Sequence, residues 1–235
     1  MERGKLYLIP SLISDIEISK SIPQYNVEII NSIDIFIVEE IKTARKFLKK
    51  CNYPQSFDNI TFFELNEHTQ EYEIIDYLKD IEKGKNIGLM SESGVPCLAD
   101  PGSLIVKMAH QKNIEVIPLV GPSSVLLALI ASGFNGQNFT FHGYLPIDKI
   151  KRANKIKEIE RNAYQYNQTQ IFIEAPYRNN QLLENILSVC KSDTLLCIAV
   201  EISGENSFIK TKSISDWKRN PPDCNKKNVV FLLYK

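Results

Sequence analysis

Apolar and polar positions along the chain follow two rhythms. Short β-rich runs occur at Leu6–Pro10, Asp34–Glu39, Thr61–Leu65, Asn86–Met90 and Ile114–Val120. Between them, apolar residues recur every three or four positions, which places them on one side of a helix. This spacing predicts helices around Pro23–Ser32, at Lys42–Cys51, at Thr69–Lys83 before Gly84, and at Pro101–Lys112. Strands alternating with helices pair in parallel through right-handed crossovers.

The second half predicts helices at Pro122–Ser132, Ile150–Ala163 and Tyr177–Val189, with strands at Phe139–Leu145, Gln170–Glu174 and Leu195–Ile202. Pro122 at the start of its helix and Gly133 at the end have the favoured polarity. The near-continuous apolar sequence of this helix predicts that it is buried core. Two further strands, Ser207–Ile214 and Asn228–Tyr234, flank a polar turn with Pro221 and Pro222. No crossover helix is predicted between them, so they are expected to pair antiparallel. The fold class is therefore α/β with two lobes, 1–118 and 119–235. The first sheet is mainly parallel and the second mixed, with helices packed on both.

The 235 residues suffice for two modest cores, and the 43% hydrophobic and 24% charged fractions are those of a globular protein. Net charge is formally zero. A protein that holds nucleic acid by bulk electrostatics carries a basic excess, so any such contact must come from a local patch or from shape. The five cysteines are odd in number, none has CxxC spacing, and His68, His110 and His142 stand far apart. That pattern argues against a metal site and for free thiols in a reducing cytoplasm. The first apolar run is too short for a signal or a membrane span, so no membrane association is expected.

Two segments carry chemistry. In Gly88–Gly102 an apolar strand enters a loop of small residues and then a helix, with Asp100 expected as its N-cap and Pro101 at its first position. Loops at the carboxyl ends of parallel strands bind ligands in open sheets, and small residues let backbone N–H groups approach closely. In Val120–Gly133 a strand ends in Gly121, and Ser123 and Ser124 open a helix whose N-terminus offers free donors. The dinucleotide fingerprint, the P-loop, H-E-x-x-H and G-x-S-x-G are all absent.

Together these segments resemble the tetrapyrrole methylase superfamily, the class III S-adenosylmethionine-dependent methyltransferases. Within it they are most similar to the branch that methylates a ribose 2′-hydroxyl of 16S ribosomal RNA. Its S-D-A-G-T-P-x-x-x-D-P-G pattern is matched by Ser91–Pro96 and Asp100–Gly102, and its P-G-P-S-A and S-A-S-G by Val120–Ser124 and Ile130–Gly133. F-x-G-F-L-P is matched by Phe141–Pro146, and Y-E-S-P-H-R by Ile173–Arg178. The resemblance implies a two-lobed fold with S-adenosylmethionine in the cleft and S-adenosylhomocysteine as product. It implies cofactor contacts at Pro10, Ser91, Glu92, Ser93, Gly94, Ser123, Ser124, Glu174, Ala175 and Ile202, a small-subunit RNA substrate and a homodimer. Departures concentrate among polar positions. T-P-I-G-N is Pro10–Ser14, E-D-T-R is Glu39–Lys42, the aspartate of S-D-A-G is Glu92, and A-R-E-L-T-K is Ala199–Gly204 without its arginine and lysine. Methylation of a small tetrapyrrole-like molecule, or cofactor binding without transfer, are the alternatives these losses leave open.

A ribose hydroxyl that attacks a methyl group must lose its proton, so a general base is expected. The candidates are Glu92, Glu67 with its neighbour His68, the strand-end pair Glu39 and Glu40, and Glu174. Arg178 is suited to a phosphate, a substrate carboxylate or Glu174 itself. Lys149, Lys151, Arg152, Lys155, Lys157 and Arg161 form a basic run that fits either an RNA backbone or a solvated helix face. Lys218, Arg219, Lys226 and Lys227 read as turn charges.

Overall fold

Strands Leu6–Ile9 (β1), Ile35–Val38 (β2), Thr61–Glu64 (β3), Ile87–Met90 (β4) and Val116–Pro118 (β5) form one sheet in the computed structural model of the protein. The structure describes residues 3–66, 69–70 and 72–235. All four pairings are parallel and the order is β3-β2-β4-β1-β5. The sheet belongs to a compact unit, Met1–Ser123; a second unit is Ser124–Lys235.

Helices Gln24–Ile30 (α1) and Ile41–Lys50 (α2) cover one face of this sheet, where Ile9, Ile30, Phe36, Val38, Leu48 and Met90 pack together. Helix Ser103–Gln111 (α3) covers the other, through Leu6, Ile37, Ile81, Leu89, Ile105 and Ala109. Every residue of β2 and β4 is buried, as strands covered on both faces must be. The helix expected over Thr69–Lys83 is replaced by 3-10 turns at Ile74–Asp76 and Lys79–Lys83. Ile74, Leu78 and Ile81 still point into the core. Either coil presents them to the sheet, so apolar spacing alone does not distinguish the two.

In the second unit, strands Phe139–Tyr144 (β6), Thr169–Ile173 (β7), Leu195–Val200 (β8), Phe208–Ser213 (β9) and Val229–Tyr234 (β10) take the order β6-β7-β10-β8-β9. Only β6 and β7 run parallel; β10 is antiparallel to both β7 and β8. The structure corrects the expected pairing of the last two strands. β9 pairs with β8 instead, and the helix Ile214–Arg219, the last of the chain, lies between β9 and β10. The all-apolar β10 belongs in the sheet centre, whereas the half-polar Phe208–Ser213 is suited to an edge.

Helix Ser124–Ser132 (α4) packs on β9 and β10. It is not wholly core as expected, since Leu126 and Ile130 are 50% and 77% exposed. Helices Lys149–Tyr166 (α5) and Asn179–Val189 (α6), with the short Ile214–Arg219 helix (α7), share a core with Phe172, Ile198 and Phe231. Among the described residues, no helix is long and apolar enough to cross a membrane.

Candidate active site

The topology of the first sheet locates a crevice. β1 leads to α1 on one face, and its neighbour β4 leads to α3 on the other. Two adjacent strands whose connections leave in opposite directions open a gap at their carboxyl ends, where open α/β sheets bind ligands. Those ends are Pro10-Ser11 and Ser91-Glu92-Ser93-Gly94.

The crevice is laced by backbone groups. The Ser11 N–H donates to Gly94 O at 2.9 Å, and its hydroxyl donates to Ser91 O at 3.1 Å. The Ser91 hydroxyl donates to Gly94 O at 3.2 Å. Gly94 has φ +77°, and a Cβ there would lie 3.1 Å from both Ile13 Cγ2 and Pro122 O. The end of β5 approaches still closer: a Cβ on Gly121 would sit 2.2 Å from two atoms of the Pro10 ring. Asn26 of α1, fully buried, donates to Val120 O at 2.7 Å. Pro10, Ser91 and Gly94 are therefore brought together with Gly121 and Pro122.

The loop after β4 is also strained. Cys97 and Ala99 have φ of +70° and +67°, a region that non-glycine residues rarely occupy and that clusters at functional sites. α3 begins at Ser103, with Gly102 at its cap. Asp100 is therefore not the N-cap expected: it lies two residues before the cap and accepts the Gly102 N–H at 2.7 Å.

Carboxylates gather beside the crevice. The Glu92 side chain is exposed, but its N–H donates to Oε1 of the half-buried Glu39 at 2.9 Å. Burial pushes the Glu39 pKa above its ordinary value, the Glu92 N–H opposes the rise, and Asp100 and Glu92 add to it. Glu40 accepts from Thr43. Glu67 and His68 lie outside the described residues. The sequence marks Glu39 only as a strand-end acid. Its place after a fully buried run, Ile35–Val38, is the available signal, because a carboxylate that continues such a strand is drawn into the protein.

In the second unit the expected residues collect where β7 and β8 end. The Lys226 N–H donates to Pro176 O, and the Glu201 N–H to Asn228 O, so the 226–228 segment ties the two strand ends. Ile202 is buried between two residues of positive φ, Glu201 and Ser203. The buried Glu174 Oε1 accepts from Ala175 N–H at 2.8 Å and from Arg178 Nε and Nη2 at 2.9 and 2.6 Å. Arg178 thus pairs with Glu174, and its Nη1 also donates to the Tyr177 hydroxyl at 2.9 Å. Among the described residues, Glu174 Oε2 is buried with no partner. Buried polar atoms are almost always hydrogen-bonded, so this orphan acceptor calls for a donor from outside the chain.

The basic run resolves into different roles. Arg152 is buried and donates to Asn185 Oδ1 at 2.7 Å and to Ile147 O at 3.0 Å, and Lys155 pairs with Glu158 at 2.7 Å. Lys149, Lys151, Lys157 and Arg161 are exposed. Among the described residues, no group of three or more His, Cys, Asp or Glu side chains is placed to hold a metal ion.

Residues 20–215 match the family model described as Tetrapyrrole (Corrin/Porphyrin) Methylases. The chain belongs to this family of methyltransferases, as its motifs indicate. It is 27% identical to Ribosomal RNA small subunit methyltransferase I of Vibrio cholerae, over 97% of this chain and 76% of that protein. The Escherichia coli O157:H7 protein of the same name is 28% identical over 98% and 78%, and a Streptococcus pyogenes one 30% identical over 91% and 70%. Among solved structures, the methyltransferase CobJ is similar with a TM-score of 0.64 and 15% identity, over 99% of this chain and 94% of that one. Cobalt precorrin-4 methyltransferase CbiF has a TM-score of 0.61 at 10% identity, over 98% and 94%. These two likenesses concern the fold alone, which is the expected α/β pair of a parallel and a mixed sheet.

Proposed function

We propose that the protein methylates a ribose 2′-hydroxyl of small-subunit (16S) ribosomal RNA, with S-adenosylmethionine as donor, acting in the cytoplasm as a homodimer. The observation that carries this reading is the nearly full-length similarity to proteins named Ribosomal RNA small subunit methyltransferase I. The donor fits the residues present. The strand ends at the β1–β4 crevice carry small residues and backbone groups beside the Ile13 side chain, and Glu174 Oε2, without a partner among the described residues, can accept a hydrogen from an amine or hydroxyl of the donor. We assign donor contacts to Pro10, Ser91, Glu92, Ser93, Gly94, Ser123, Ser124, Glu174, Ala175 and Ile202. The exposed Ile130 and Leu126 of α4 support burial against a second copy.

When bound, the sulfonium supplies an electrophilic methyl group that needs no further activation. The chain's own work is alignment, exclusion of water and removal of one proton. Glu39 is the best-placed base. It is half-buried, bound to no lysine or arginine among the described residues, and its raised pKa suits it to hold a proton. Glu92 stands beside it, and Glu67 keeps its place as a candidate from sequence. Arg178 holds Glu174 in position.

The test is incubation with methyl-labelled S-adenosylmethionine and purified small-subunit (30S) particles lacking the modification. Label at a ribose 2′-oxygen of 16S RNA is expected. Label on a small acceptor only, or cofactor binding without turnover, would overturn the reading.

A further inference from the structure

The exposed face of α5 carries cations that the active site does not use. Lys151, Lys157 and Arg161 are exposed, make no salt bridge among the described residues, and share this face with the exposed Asn154 and Gln165. At 1.5 Å per residue, Lys151 and Arg161 stand about 15 Å apart along the helix. The acids of α5 are committed to other partners. Glu158 is paired with Lys155, and it also feels the charge of Arg161 without forming a salt bridge to it among the described residues. Glu160 is buried and accepts from the Lys191 N–H at 2.7 Å and the Thr194 hydroxyl at 2.6 Å. The helix is firmly seated, since Asp148 caps it and the buried Arg152 bolts it to α6 through Asn185.

We propose that this face is the RNA-docking surface, with Lys151, Lys157 and Arg161 contacting successive backbone phosphates and Asn154 and Gln165 hydrogen-bonding to sugar or phosphate oxygens. It rests on the RNA reading above and adds the place where the substrate is gripped. Charge complementarity selects the partner. In a chain of zero net charge, attraction to a polyanion must come from a local row of this kind. An anionic membrane is a poorer match, because Ile150 is the one exposed aliphatic side chain on α5 and a membrane-bound helix needs an apolar face. Phosphate contacts fix register without reading sequence, so the surface orients the RNA and leaves choice of nucleotide to the site.

The test compares the wild-type chain with the triple variant Lys151→Glu, Lys157→Glu, Arg161→Glu and the milder triple change to Gln. Binding to 16S RNA is measured between about 0.05 and 0.2 M salt, where each cation–phosphate pair that is removed flattens the log–log slope by about 0.7–0.9. The Gln variant should take about 2–3 from the slope and raise KM for RNA at least tenfold. Its kcat at saturating RNA and its thermal shift with S-adenosylmethionine should stay unchanged. The Glu variant should weaken binding further. Unchanged KM and slope in a wild-type-like Gln variant overturn the docking surface while leaving the methyltransferase reading intact. An acidic peptide competing for the same three cations while RNA does not also overturns it. A wild-type chain that neither binds nor methylates the RNA removes both.

Discussion

Arg178 places two N–H donors on one oxygen of Glu174, at 2.9 and 2.6 Å, and leaves the other oxygen buried and without a partner among the described residues. Removing the cation leaves an uncompensated buried carboxylate. Arg178→Ala is expected to cost about 3 kcal/mol, as breaking such pairs does, and Glu174→Gln in the same chain should recover most of it. Urea unfolding of the two single variants and the double variant at neutral pH measures the coupling. Simple additivity would show the pair to be inert.

The orphan oxygen makes a separate claim. If Glu174 Oε2 accepts a hydrogen from the donor, Glu174→Gln must weaken S-adenosylmethionine binding while leaving RNA binding unchanged. Losing a hydrogen bond to a charged acceptor costs about 1.5–3 kcal/mol, or roughly tenfold to a hundredfold in affinity. Calorimetric titration decides it, and equal affinity would remove Glu174 from the donor site.

Glu39 gives a pH signature. Its raised pKa means that the folded chain holds the proton more tightly than the unfolded chain. Its favourable contribution is therefore present below the ordinary carboxylate value and lost as pH rises through the folded one. Glu39→Gln never ionises, and its Oε1 still accepts the Glu92 N–H. Its Tm relative to wild type should rise from about pH 4 to about pH 7, while kcat falls strongly at every pH. A Tm difference independent of pH would mean that Glu39 titrates normally.

His142 should behave in the opposite sense. Burial lowers its pKa, against the hydrogen bond to Gln170 and with Lys155 adding to the fall. The neutral ring thus stabilises the fold above its ordinary value, and the contribution is lost as pH falls through the depressed one. Acidification from about pH 7 to about pH 5 should lower the Tm of wild type more than that of His142→Asn. Parallel curves would count against it.

Gly121→Ala adds a carbon 2.2 Å from the Pro10 ring. Overpacking of this kind costs about 1–3 kcal/mol. Because Pro10 ends β1 beside the crevice, the variant should also lose donor affinity beyond what its stability loss explains, as read by thermal shift with and without S-adenosylmethionine.

Much of this molecule is legible in its sequence because its strands are short apolar runs and its motifs fall on their ends. The Ser91–Gly94 and Glu174–Ala175 segments stand at strand ends, as their small-residue and Pro-flanked sequences indicate. Less can be read where two structures bury the same side chains. The Thr69–Lys83 stretch has helical spacing but coils more tightly, in 3-10 turns. Arg152 is indistinguishable in sequence from its solvated neighbours, because its burial depends on Asn185, which lies 33 positions later. The grip of Glu39 on the loop after β4 is invisible for the same reason: the Glu92 N–H it accepts lies 53 residues away.

The central position of β10 carries a consequence for biosynthesis. β7 and β8 leave the ribosome before the strand that joins them, so Phe172 and Ile198 wait without the neighbour they share, Phe231. Long-range pairing that closes late leaves apolar surface open to wrong partners. The second unit should therefore be the more chaperone-dependent half of the nascent chain, and a stall before Val229 should leave it trapped in an unfinished, sticky state.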